Sequence, residues 1–88
     1  MKTTFTPGPW RYDRTNGSPT TGEHMIAGAK PGYLAEVRDC GSGDVSANAR
    51  LIAAAPDLLA ALECVAPYIS EKGVFNMVQS AIAKAKGE

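Results

Sequence analysis

Ala47-Asn48-Ala49-Arg50-Leu51-Ile52-Ala53-Ala54-Ala55-Pro56-Asp57-Leu58-Leu59-Ala60-Ala61-Leu62-Glu63 is the stretch on which the fold of this chain turns. Continued to Ile69, it places Leu51, Ala55, Leu58, Leu62, Val65 and Ile69 at alternating spacings of four and three. That period puts all six on one helical stripe. Ile52, Leu59 and Ala66 form a second row beside it. Pro56 has no N–H to bond back to Ile52, so the helix breaks at Pro56 and restarts. Pro suits the first turn of the new piece, and Asp57 beside it suits the positive end of the new helix dipole.

Working outward, Thr6-Pro7-Gly8-Pro9 forbids a helix and predicts an extended lead-in. Trp10-Arg11-Tyr12-Asp13-Arg14 alternates aromatic and charged, the period of a half-buried strand with Trp10 and Tyr12 inward. Asn16-Gly17-Ser18-Pro19 is a turn. His24–Ala27 reads as a second strand and Tyr33–Arg38 as a third, joined by a tight turn at Lys30-Pro31-Gly32. Sequential strands tend to be neighbours, which predicts a three-stranded antiparallel meander. Cys40-Gly41-Ser42-Gly43 ends the sheet, and Asp44 or Ser46 caps the first helix. Ser70–Gly73 interrupts the chain before a last amphipathic helix over 74–86, with Lys84 and Lys86 in its final turn. The expected class is α+β: a meander followed by two or three C-terminal helices. One domain is expected over residues 1–88, with the sheet in 9–39 and helices in 44–69 and 74–86.

The chain has 88 residues, a length at which a single core is marginal. Small domains need a disulfide, a metal or self-association to add stability. Cys40 and Cys64 read as free thiols of a reducing compartment, with Cys64 a small core residue. One histidine, no Cys-x-x-Cys pair and no carboxylate cluster predict neither metal nor cofactor. Self-association remains, so a homo-oligomer is expected through Leu51, Ala55, Leu58, Leu62, Val65 and Ile69. Nine basic residues balance nine acidic ones, which argues against a duplex nucleic acid partner. No signal-peptide pattern and no membrane-length apolar run occurs, so a soluble cytoplasmic protein without a membrane partner is expected.

No acid–base or nucleophile constellation can be assembled from the sequence, and an enzyme is not expected. His24 invites pairing with Cys40 or Ser42, but no spacing supports it. Gly41-Ser42-Gly43 lacks the Lys-Ser/Thr of a phosphate loop and reads as a connection. Arg11, Arg14 and Arg38 lie on predicted strands, with Arg11 alternating away from Trp10 and Tyr12 and Arg38 away from Val37. They read either as a solvated, mutually neutralised face or as forks for a phosphate ligand. The candidate ligand-binding set is Trp10, Tyr12, Arg38, Asn48 and Arg50, with the aromatics either stacking surfaces or core.

Thr6-Pro7-Gly8-Pro9-Trp10, the central Ala47–Leu59 signature and Ala81–Gly87 together resemble a large family of small accessory proteins of tailed phages and prophages. The sheet-then-helices order is similar to that of Thoeris anti-defence sponge proteins. This resemblance implies a non-enzymatic anti-defence protein that sequesters a nucleotide immune signal in the infected bacterial host. The alternative it implies is an anti-CRISPR-like inhibitor that contacts a host defence protein directly. A third reading is a structural accessory protein.

Overall fold

The computed structural model describes residues 5–17, 19, 21–39, 41 and 43–87. The chain packs as two compact units, one spanning Pro7–Pro56 and the other formed by Asp57 onward with Phe5 and Thr6.

The first unit contains the meander. Strands β1 (Arg11–Arg14), β2 (His24–Ala27) and β3 (Tyr33–Glu36) run in that order across an antiparallel sheet. Tyr12 pairs with Ile26 and Ile26 with Ala35, so the central strand carries the core. Between Ile26 and Ala27 the register slips, because Tyr33 rather than Leu34 faces Ala27. The strand pattern stops at Glu36, two residues short of the expected Arg38. Even so, the Val37 N–H still donates to the His24 carbonyl at 2.8 Å. Gly32 turns at φ 100°, a conformation that a β-carbon would strain.

Helix α1 (Val45–Ala53) lies against β2 and β1. Its N-cap is Asp44, whose carboxylate accepts from the Ser46 N–H at 2.9 Å. Ala49 and Ala53, one turn apart, are buried against Ile26, which has no exposed surface. Alanine on the helix brings its backbone close to the strand, and Trp10, Tyr12 and Val37 fill the flanks. Burying a side chain the size of Ile26 contributes about 1.5–3 kcal/mol. Gly8 belongs to this packing: a β-carbon there would sit 2.9 Å from Pro56 Cβ, on a ring that cannot bend away.

The break before Pro56 is sharp. Ala54 closes α1 with its N–H on the Arg50 carbonyl, and α2 (Ala55–Val65) begins at the next residue. Helix α2 gives way at Ala66–Tyr68 to a 3-10 turn, just before the expected end at Pro67 or Ile69. The tighter turn follows from Pro67, which withholds a helical N–H. Helix α3 (Lys72–Lys86) starts two residues before Val74, because Glu71 is a working N-cap. Its carboxylate accepts from the N–H groups of Gly73 and Val74 at 2.8 and 2.9 Å. Gly87 ends α3 in the left-handed conformation with its N–H on the Ala83 and Lys84 carbonyls.

In this second unit Leu59, Ala66 and Ile82 form the core, with Phe5, Leu62 and Val78 packed around them. The helical stripe therefore divides. Leu62 turns into the core, whereas Leu58 and Val65 stay exposed. Cys64 is a free thiol on the surface, not the small core residue expected, because it falls outside the 59–62–66 row. Cys40 lies outside the described residues.

Candidate functional site

The expected ligand set separates into three groups. Trp10 and Tyr12 are half-buried and pack on the Ile26 core, so they face inward as their alternation requires. Arg38 is exposed, with its guanidinium 3.5 Å from Glu36. Asn48 and Arg50 are exposed on α1, and among the described residues neither side chain has a hydrogen-bond or ion-pair partner.

The other strand arginines are committed as well. Arg11 meets Asp13 at 3.1 Å and donates to the Gly28 carbonyl at 3.1 Å. Arg14 stands 4.0 Å from Glu23. Each strand arginine thus has a carboxylate beside it, the neutralised-face reading. Such exposed pairs add little stability, but they lower the positive potential a phosphate would feel.

Tyr12 makes the most connected polar site. Its hydroxyl lies 2.7 Å from His24 Nδ1 and 3.1 Å from Ser46 Oγ, and its ring stacks on the His24 ring at 5.9 Å. With Nδ1 unprotonated, Tyr12 donates to His24 and accepts from Ser46. One hydroxyl therefore ties β1, β2 and α1 together. His24 is engaged with Tyr12, whereas Cys40 and Ser42, the partners weighed for it in the sequence, lie outside the described residues. The sequence contains all three partners, but their meeting depends on the β1–β2 register and on where α1 crosses the sheet.

Two further surfaces escape sequence reading. Strand β3 is a sheet edge with every residue exposed, including the large side chains of Tyr33 and Leu34. Because Val37 bonds to His24, the alternation of an antiparallel ladder turns the Glu36 N–H and carbonyl away from β2, toward the open edge. The second surface is a groove of about 420 Å³ in the helical unit, floored by Ala66, Phe75 and Ile82. Glu63 and Lys86 stand at it in an ion pair of 2.7 Å. Among the described residues no group of histidine, cysteine and carboxylate side chains could hold a metal. No helix among them is long and apolar enough to cross a membrane.

A family model described as Salmonella phage P22 protein Y8K6 matches residues 1–88. The chain belongs to this phage protein family. Neither curated proteins nor solved structures give a match. Membership extends over both units and bears out the expectation of a phage protein family. The family's description names no activity, ligand or partner, so function rests on the surfaces themselves.

Proposed function

We propose that this phage protein is a non-enzymatic binding protein that acts stoichiometrically on a protein of the infected host, with the open edge of β3 as its contact. A defence protein is the first candidate target. The observation that carries this reading is the edge itself: Tyr33–Glu36 is exposed along its whole length and presents Tyr33 and Leu34 to solvent. An edge strand offers unpaired backbone groups to an extended partner, while its side chains select which partner fits. Glu36, Arg38 and the register slip oppose indiscriminate pairing, so a target needs matching charges. The test is capture from host lysate with the tagged full chain and with Tyr33→Ala/Leu34→Ser. A protein retained by the first and lost by the second supports the reading; equal retention removes it.

A second reading is sequestration of a phosphorylated nucleotide signal. Asn48 and Arg50 support it, because their side chains stand exposed and uncommitted on α1. Trp10, Tyr12 and Arg38 support it less, being engaged in the core or with Glu36. Calorimetry against cyclic and ADP-ribose-type nucleotides separates the two. Heat that disappears in Arg50→Ala selects the nucleotide; no heat with any of them leaves the protein target.

A further inference from the structure

The β3 edge has a direction. Tyr33 and Leu34 at its start are exposed apolar side chains. Just past its end stands Arg38, with a side chain 82% accessible. Glu36 approaches the Arg38 guanidinium through Nε, at 3.5 Å, which leaves both Nη groups for another acceptor. The neighbouring carboxylates are committed elsewhere as well. That of Glu36 lies over Gly22, in the segment that leads into β2, so closely that a β-carbon on Gly22 would collide with it. That of Asp39 accepts from the Gly41 N–H at 2.8 Å.

The α1 side of the same edge carries a notch. Ala35 pairs with Ile26 and so lies on the α1 side of the sheet, as Val37 does. Helix α1 covers β1 and β2 but does not extend over β3. Ala35 is therefore exposed although its strand partner is fully buried. At 100° per residue, Ser46 falls on one flank of the buried Ala49–Ala53 row and Ile52 on the other. The Ser46 flank reaches Tyr12 of β1, which puts Ile52, 39% accessible, on the flank beside β3. A small strand residue next to this isoleucine leaves room for a large apolar side chain, and the outward N–H and carbonyl of Glu36 open beside it.

We propose that the edge takes an antiparallel extended segment of the host target in which a carboxylate stands three residues before a large apolar side chain. This rests on the β3 edge being the contact and adds the chemistry of what it takes. The backbone specifies an extended segment: Glu36 can exchange both hydrogen bonds with one partner residue, and an antiparallel ladder continues the sheet as it stands. That geometry fixes the spacing. The residue after the one opposite Glu36 lies across Ala35, where a large apolar side chain fills the notch against Ile52. The residue two positions before it lies across Arg38, where a carboxylate meets the guanidinium fork. Alternation places these two on opposite faces of the added strand, as Arg38 and Ala35 are on β3. The segment then runs on toward Tyr33 and Leu34, so its apolar end is the later one. A second copy of β3 does not meet this rule: the register that sets its Glu36 across Arg38 sets its Asp39 across Ala35.

The probe is the end-capped peptide Thr-Val-Asp-Thr-Thr-Leu-Val-Thr, titrated to about 2 mM into the isotope-labelled full chain and read by amide NMR shifts, a range suited to a weak strand addition. Saturable shifts are expected at Ala35, Glu36, Val37 and Ile52, with slowed exchange of the Glu36 N–H. Replacing the peptide's leucine by serine, or its aspartate by lysine, should each weaken binding at least about tenfold. Arg38→Glu should reverse the preference, so that the lysine peptide binds about tenfold better than the aspartate one. The proposal is overturned by the absence of saturable shifts, by shifts confined to other residues, or by equal binding of the three peptides. An unchanged preference in Arg38→Glu overturns it too. A negative titration with the lysate target still lost in Tyr33→Ala/Leu34→Ser overturns this pattern and leaves the edge contact standing. Equal retention of the target in that variant overturns the edge contact itself.

Discussion

The sheet unit and the helical unit are held by different means. In the sheet unit, side chains reach across the fold: Tyr12 to His24 and Ser46, Arg11 to the Gly28 carbonyl, and Thr15 to the Gly22 carbonyl. In the helical unit the ties are apolar contacts around Leu59, Ala66 and Ile82, caps at Glu71 and Gly87, and the Glu63–Lys86 pair. The difference follows from backbone bonding. A helix satisfies its own interior N–H and C=O groups, whereas three four-residue strands leave two open edges. Short strands therefore borrow side chains to fix their register, and helices need only a sealed end and an apolar seam.

The largest test of that contrast is Ile26→Ala. Emptying the fully buried centre of the sheet unit is expected to cost about 2–5 kcal/mol in urea denaturation. A loss below about 1 kcal/mol would mean that the side-chain links, rather than the core, hold the sheet. Tyr12→Phe comes next. It keeps the ring and its stacking on His24 but leaves His24 Nδ1 and Ser46 Oγ without their partner, an expected loss of about 1–2 kcal/mol. His24→Phe in that background should then cost less than it does alone, because the pair acts as a unit. Equal costs would show that the hydrogen bond is not a shared tie.

The helical unit is tested at its cap. The Gly73 N–H first and the Val74 N–H second hold the Glu71 carboxyl below the usual carboxylate range. A carboxylate favoured in the folded state stabilises α3 above the unfolded-chain pKa, and the benefit fades as pH falls through the lowered folded value. Amide exchange at Gly73 and Val74 should therefore speed up on acidification, relative to the middle of α3. Glu71→Gln should flatten that dependence. Arg38→Ala is the smallest effect, within about 0.5 kcal/mol in thermal unfolding, because the Glu36 pair is exposed. A larger loss would place Arg38 among the links that hold the sheet.

Much of the architecture was legible before any coordinates. Alternation marked β1 closely, the second strand was placed at its observed residues His24–Ala27, and the missing N–H of Pro56 divided α1 from α2. Glycines at 17, 32 and 87 adopt the positive φ angles that turns and helix ends require. The helix starts were less legible. Glu71 caps α3 although a glutamate is an uncommon cap, so the start at Lys72 depended on where its carboxylate could bend back. The candidate site was read least well. Tyr12 was read as an inward strand residue and, with Trp10, as either a stacking surface or core, but its hydroxyl belongs to a tie with His24 and Ser46, residues 12 and 34 positions away.

Local chemistry alone determined that this chain alternates, breaks and coils where it does, because proline, glycine and the periods of two and 3.6 act within a few residues. Which faces remain uncovered was decided only by packing. Leu58 and Leu62 are both leucines on the same predicted stripe, yet Leu62 packs with the Leu59 and Ile82 core while Leu58 looks outward. A stripe gives a direction around one helix axis. Which part of it is covered depends on the partner helix, and that is set by contacts between residues far apart in sequence.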